Sequence, residues 1–161
     1  MTFAHAVFVR SLQAALVLTV APLALAQTTT DDAPAMRNPL ERAMEWGPCP
    51  AFMPKGCGLA VVHGQGDKLN ADVFLKIPGK GSIPNHTHTS AERMVLVAGQ
   101  LKVTYGTQKP MTVNAGSYMY GPAKMPHSAN CVSAKPCILF IAFEAPVDAI
   151  PVAPPGKPEP K

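Results

Sequence analysis

Three histidines and one glutamate carry the chemistry that this chain can be seen to offer. In "NHTHTSAERMVLVAGQ", His86 and His88 stand one residue apart, and Glu92 follows four residues after the second. Side chains two apart on a strand share a face, so His86 and His88 would project together within reach of one metal ion. Glu92 has the same parity and joins them if the backbone stays extended through Thr89, Ser90 and Ala91. Further along, "GSYMYGPAKMPHSAN" places Pro126 immediately before His127. Imidazole and carboxylate donors suit a divalent first-row ion without any thiolate. Three histidines and one glutamate would leave one or two positions for water, oxygen or substrate.

These residues need a scaffold of strands. Short β-like runs follow one another with Gly, Pro or Asn at nearly every junction: "GLAVVHG", "ADVFLKIPG", "ERMVLVAG", "QLKVTYG", "MTVNAG", "SYMYG", "HSANCV" and "CILFIAFE". Strands this short at this spacing predict an all-β fold, a small antiparallel β-barrel or jelly-roll sandwich, and not a parallel α/β sheet. In "QLKVTY", Leu101, Val103 and Tyr105 alternate with polar residues, as in a half-buried strand. "CILFIAF" is apolar on both faces and should be central.

The two patches together resemble the two signatures of the cupin superfamily, in its small single-domain bacterial metal-binding form. The first reads His86-x-His88-x₃-Glu92-x₆-Gly99. The second reads Gly116-x₅-Pro122-x-Lys124-x₂-His127-x₂-Asn130. Lys124 stands where the family usually has glycine, Asn130 comes one residue early, and the glycines before His86 (Gly79 and Gly81) miss the usual spacing by one. The resemblance covers about residues 58–144. It implies a small β-barrel whose metal ligands are His86, His88, Glu92 and His127, holding one divalent transition metal: Fe, Mn, Zn, Ni or Cu. It also makes a homodimer plausible.

Other polar and soft side chains are read more plainly. His63 belongs to an exposed turn. Tyr118 and Tyr120 are expected in barrel packing, and Arg93 in a surface ion pair facing away from Glu92. Lys124 is a solvated cation near the site mouth. Met94, Met111, Met119 and Met125 fill the interior. No catalytic acid or base can be named beyond the four ligand candidates.

The chain has 161 residues, 47% hydrophobic and 15% charged, enough for one globular domain. Residues 1–26 carry one positive charge, Arg10, then a short apolar stretch ending in "ALA", the pattern of a cleaved secretory signal. Residues 27–44 read as a flexible leader, with a short helix over "LERAMEW" at its end. Residues 45–148 form the domain, and the proline-rich residues 149–161 an extended, disordered tail. The formal charge of +4 includes Arg10, and the remaining cations are scattered with few aromatics. Neither a nucleic-acid partner nor, once the signal is cleaved, membrane contact is expected. The location implied is periplasmic or secreted.

All four cysteines lie beyond the signal, and an even count in an exported chain points to disulfides. Three pairings are open. Cys49–Cys57 and Cys131–Cys137 are favoured because each spans a turn-like stretch, and neither spacing matches the close pair of a structural zinc site.

Two functions compete, with a structural protein whose metal merely staples the barrel as a weaker third. The first is a mononuclear metal enzyme of dioxygenase type acting on a small organic molecule, with isomerase, decarboxylase and lyase chemistry needing similar ligands. The second is a metal-stabilised module that binds or senses a small ligand without turning it over. An acid or base within reach of a metal-bound ligand would favour the enzyme.

Overall fold

A computed structural model describes residues 34–153. The expected signal segment lies outside the described residues, as do residues 27–33 of the leader and 154–161 of the tail. Eleven strands run through the described chain: β1 (Gly47–Pro48), β2 (Gly58–His63), β3 (Ala71–Ile77), β4 (Ser82–Thr87), β5 (Glu92–Ala98), β6 (Gln100–Tyr105), β7 (Met111–Asn114), β8 (Tyr118–Gly121), β9 (His127–Cys131), β10 (Cys137–Phe143) and β11 (Ile150–Pro151). They form two antiparallel sheets, ordered β1-β2-β3-β10-β5-β8 and β11-β4-β9-β6-β7. The all-β expectation holds, and of its two forms the structure takes the sandwich: two sheets with free edges face each other across one core.

Alternation explains the layering. Leu101, Val103 and Tyr105 of β6 point inward while Gln100 and Lys102 are exposed. From the facing sheet, Val73, Leu75 and Ile77 of β3, and Met94 and Leu96 of β5, meet them in a single cluster. β10 is central as expected, between β3 and β5. Its outer face carries Phe140, whose ring meets Phe74 edge-on at 5.9 Å. Both favoured disulfides are present, with Cα–Cα distances of 5.8 Å for Cys49–Cys57 and 5.7 Å for Cys131–Cys137.

Three local expectations are corrected. Residues 40–46 hold no helix; two successive turns cover 38–44 instead, with Glu41 N–H donating to the Asn38 carbonyl and Met44 N–H to that of Glu41, each at 3.2 Å. So short a segment, running straight into the extended Gly47–Pro48, does not repay helix nucleation. The proline-rich tail begins later than residue 149, because Ile150 and Pro151 pair with Thr87 and His86. An edge strand tolerates proline, since its missing N–H need not bond to the sheet. Finally, the backbone does not stay extended from His86 to Glu92. β4 ends at Thr87, a bend follows, and β5 begins at Glu92 in the other sheet.

Candidate metal centre

That crossing between sheets brings the polar residues together. His86 lies on β4 and is the direct cross-strand partner of His127 on β9. His88 sits in the bend, and Glu92 opens β5 on the opposite wall. Strand parity alone would have stacked three side chains along one ribbon. The observed site instead uses a cross-strand pair from one sheet, a carboxylate from the other, and the bend between them. All four residues are buried.

One ring nitrogen from each of His86, His88 and His127 lies within 4.8 Å of the other two. Three ring nitrogens this close together converge as the donors of one ion do. The Glu92 carboxyl completes the cluster, with Oε1 3.1 Å from His88 Nε2 and Oε2 3.3 Å from His127 Nε2. Each imidazole is tied from behind by a main-chain carbonyl on its Nδ1: Pro84 for His86 at 2.9 Å, Met125 for His127 at 3.0 Å, and Asp148 for His88. An Nδ1–H that donates to a carbonyl leaves the Nε2 lone pair free, the tautomer a metal ligand requires.

Burial sets the protonation states. His88 and His127 are both lowered to about 4, mainly by desolvation, and His86 is lowered for the same reason. Glu92 is raised to about 8 by burial, with a smaller contribution from the charge of Asp148. Tyr105 is also pushed up, first by burial and then by Glu92. Among the described residues, three buried polar atoms find no hydrogen-bond partner: His88 Nε2, Glu92 Oε2 and the Tyr105 hydroxyl. The Nε2–carboxylate approaches are near but badly aligned for hydrogen bonds. Neutral imidazoles with converging lone pairs, beside an unsatisfied carboxyl, fit a divalent ion.

The centre opens on a cavity of about 110 Å³. Its walls are largely apolar, with Leu75, Met94, Val103, Ile141 and Phe143 among them. Cys49, Pro50 and Met53, from the loop closed by the Cys49–Cys57 disulfide, form part of its lining. The Phe52 ring lies 6.0 Å from that of His86.

The remaining sequence candidates sort clearly. His63 is exposed, and Arg93 points outward to pair with Glu144 at 2.6 Å. Lys124 is exposed at φ 60°, which explains why glycine suits this position, and its N–H donates to the His88 carbonyl at 2.9 Å. Met94 and Met119 are buried, and Met125 packs against the core. Two expectations fail. Met111 is exposed because β7 is an edge strand, and Tyr118 and Tyr120 are exposed because β8 turns Met119 inward.

Two residues of the site were not singled out from sequence. Tyr105 ends the alternating face of β6, a signal that pointed to packing; its ring centroid lies 5.3 Å from that of His127. Asp148 had no signal, standing as the last residue of the expected domain, 60 residues along the chain from His88.

A family model described as Cupin domain matches residues 73–143. No curated protein matches the chain. Solved structures similar to it include the DMSP lyase DddQ from Ruegeria pomeroyi, with TM-score 0.58, 17% identity, and 70% of this chain and 63% of that chain covered. KdgF from Halomonas sp. follows with TM-score 0.51, 15% identity and coverage of 63% and 88%. Bacillus subtilis oxalate decarboxylase, described with Mn(II) centres, gives TM-score 0.51, 16% identity and coverage of 60% and 27%. The matched part is less than two thirds of the lyase chain and of the decarboxylase chain. At these identities the likeness is one of fold. Residues 73–143 thus match a cupin domain, and the two sheets around the histidine cluster have that fold.

Proposed function

We propose that this cupin is an exported, mononuclear metal-dependent enzyme acting on a small, largely apolar organic molecule, with dioxygenase-type chemistry as the leading reaction class. The observation that carries this reading is the convergence of three neutral histidines and a buried carboxyl on an apolar cavity. His86, His88, Glu92 and His127 would hold the ion. A bound divalent metal supplies Lewis acidity and, if redox-active, electrons for oxygen chemistry. The chain's own residues do the rest. The carbonyl-tied imidazoles keep their lone pairs aimed, and the apolar walls exclude water and favour an aromatic or partly apolar substrate over a sugar. The unpartnered Tyr105 hydroxyl, held protonated by burial, is a donor for a substrate oxygen.

A second enzymatic reading, a lyase, decarboxylase or isomerase, is favoured by one further observation. Glu92 and Tyr105 are proton carriers beside the cavity, which proton-transfer chemistry uses directly. Their presence also supports an enzyme over a pure binding module. Export is supported by the residue pattern of positions 1–26 together with two disulfides.

Elemental mass spectrometry of protein purified from its exported form, beside a His86→Ala, His127→Ala double mutant, tests the centre. About one ion per chain in the wild type and none in the mutant is the expected result. Oxygen uptake with small aromatic substrates then selects dioxygenase chemistry. Substrate loss without oxygen uptake selects the proton-transfer class, and tight ligand binding without turnover returns the binding module.

A further inference from the structure

His86 and His127 each tie Nδ1 to a carbonyl two residues upstream, so their strands alone place that acceptor. His88 differs: its acceptor is the carbonyl of Asp148, 60 residues away. The segment bearing this carbonyl crosses the site as a strap. Val147 N–H donates to the Gly66 carbonyl at 2.8 Å, Ile150 and Pro151 pair with Thr87 and His86, and Val152 N–H donates to the Asn85 carbonyl at 2.9 Å. Val147, Asp148 and Ala149 line the cavity. The Asp148 side chain then grips the residue next to His88: Oδ1 accepts from Thr89 N–H at 3.0 Å, and Oδ2 accepts from the Thr89 hydroxyl. Its carboxylate stands 3.8 Å from His88 Nδ1, beyond hydrogen-bond reach, so the main-chain oxygen is the direct contact.

We infer that Asp148 is a positioning residue for the metal centre: its carboxylate latches the 147–152 strap to Thr89, and the strap's carbonyl thereby fixes the tautomer and aim of His88. The inference rests on the proposed metal site for its consequence, but the tautomer it predicts exists in the metal-free protein. Removing the latch leaves the carbonyl on a strap held only by its flanking main-chain bonds. His88 then exchanges between tautomers, while the locally tied His86 and His127 do not.

The test uses ¹⁵N-labelled, metal-free full-length protein near neutral pH, with imidazole tautomers read from long-range ¹H–¹⁵N spectra. In the wild type all three site histidines carry the proton on Nδ1. In Asp148→Ala, His88 alone becomes a tautomer mixture. Asp148→Asn, which can still bond Thr89 N–H, restores the wild-type pattern. In a second arm, Co(II) is titrated by visible absorption, and Asp148→Ala weakens its binding about 10–100-fold, the range seen when partners behind metal-bound histidines are lost. Should Asp148→Ala not fold, Thr89→Val removes one of the two latch bonds and is expected to shift His88 in the same direction. A folded Asp148→Ala or Thr89→Val protein whose His88 keeps its Nδ1 proton overturns the inference. Absence of Co(II) uptake by the wild type overturns the metal site instead, and the tautomer arm still decides the role of Asp148.

Discussion

Glu92 carries a proton in the metal-free site that a bound cation would displace. In the buried pocket its carboxyl is raised to about 8, while His88 and His127 are lowered to about 4. The two shifts act oppositely on the stability of metal-stripped protein. The glutamate's favourable contribution is complete below its ordinary value of 4.5 and is lost as pH rises through about 8. The histidines' contributions are complete above 6.5 and are lost as pH falls through about 4. Two or more histidine protons outweigh one glutamate proton on the acid side, so stability should peak near pH 6.5. It should then decline by roughly 1 kcal/mol toward pH 8, at about 1.4 kcal/mol per proton per pH unit, because the unfolded histidines offset part of the glutamate proton. Denaturant titrations across this range, on wild type and Glu92→Gln, check the assignment: the decline above the peak disappears in the mutant. Tyr105 gives a second prediction at this scale. Its buried hydroxyl lacks a partner, so Tyr105→Phe should leave stability unchanged or raise it by up to about 1 kcal/mol. Turnover of an oxygen-bearing substrate should fall in the same variant.

At the scale of elements, the two disulfides do different work. Cys131 ends β9 in one sheet and Cys137 begins β10 in the other, so their bond crosslinks the sandwich where both sulfurs are almost fully buried. Cys49–Cys57 closes a surface loop that reaches the site mouth. Replacing either pair by alanine should lower global stability by about 2–3 kcal/mol on loop closure alone, with the buried pair costing more through lost packing. Loss of Cys49–Cys57 should, in addition, raise hydrogen exchange in residues 49–57 and leave the β9–β10 region protected. The glycines before the first histidine also acquire a reason. A Cβ on Gly79 would lie 1.9 Å from the Ala134 carbonyl oxygen, so Gly79→Ala must push the β3–β4 turn off the β9–β10 loop. A cost of about 1–3 kcal/mol is expected, measured by chemical denaturation. Gly99, at φ 87° between β5 and β6, meets Cys137 Sγ at 2.8 Å from an added Cβ, so its place in the signature reflects both turn conformation and packing. Sequence spacing marked these positions as turns. It could not show what they turn against.

For the whole molecule, the metal is expected to act as a non-covalent brace between the sheets. His86 and His127 belong to one sheet and Glu92 to the other, so an ion held by all three stabilises the closed sandwich over the unfolded chain. At a free metal concentration 100 times its dissociation constant the gain is about 2.7 kcal/mol. Chelation should lower Tm by a shift that re-addition reverses, and the His86→Ala, His127→Ala protein should show none. Calorimetry with and without chelator makes the comparison.

The sequence by itself pointed to the strand-rich fold class, the central place of "CILFIAF" and the favoured one of three disulfide pairings, while His127 joined His86, His88 and Glu92 only through the resemblance to the two cupin signatures. The first three are written in short-range features: alternation, turn residues and close spacing. Tertiary structure alone decided that the sheets stay open as a sandwich, that Glu92 faces the histidines from the opposite wall, that Tyr118 and Tyr120 lie outside, and that the inward Tyr105 meets His127. It also decided that the Asp148 carbonyl meets His88 from 60 residues away. Those outcomes depend on which strands pair and where the chain crosses between sheets, contacts between residues far apart in sequence that no local pattern encodes.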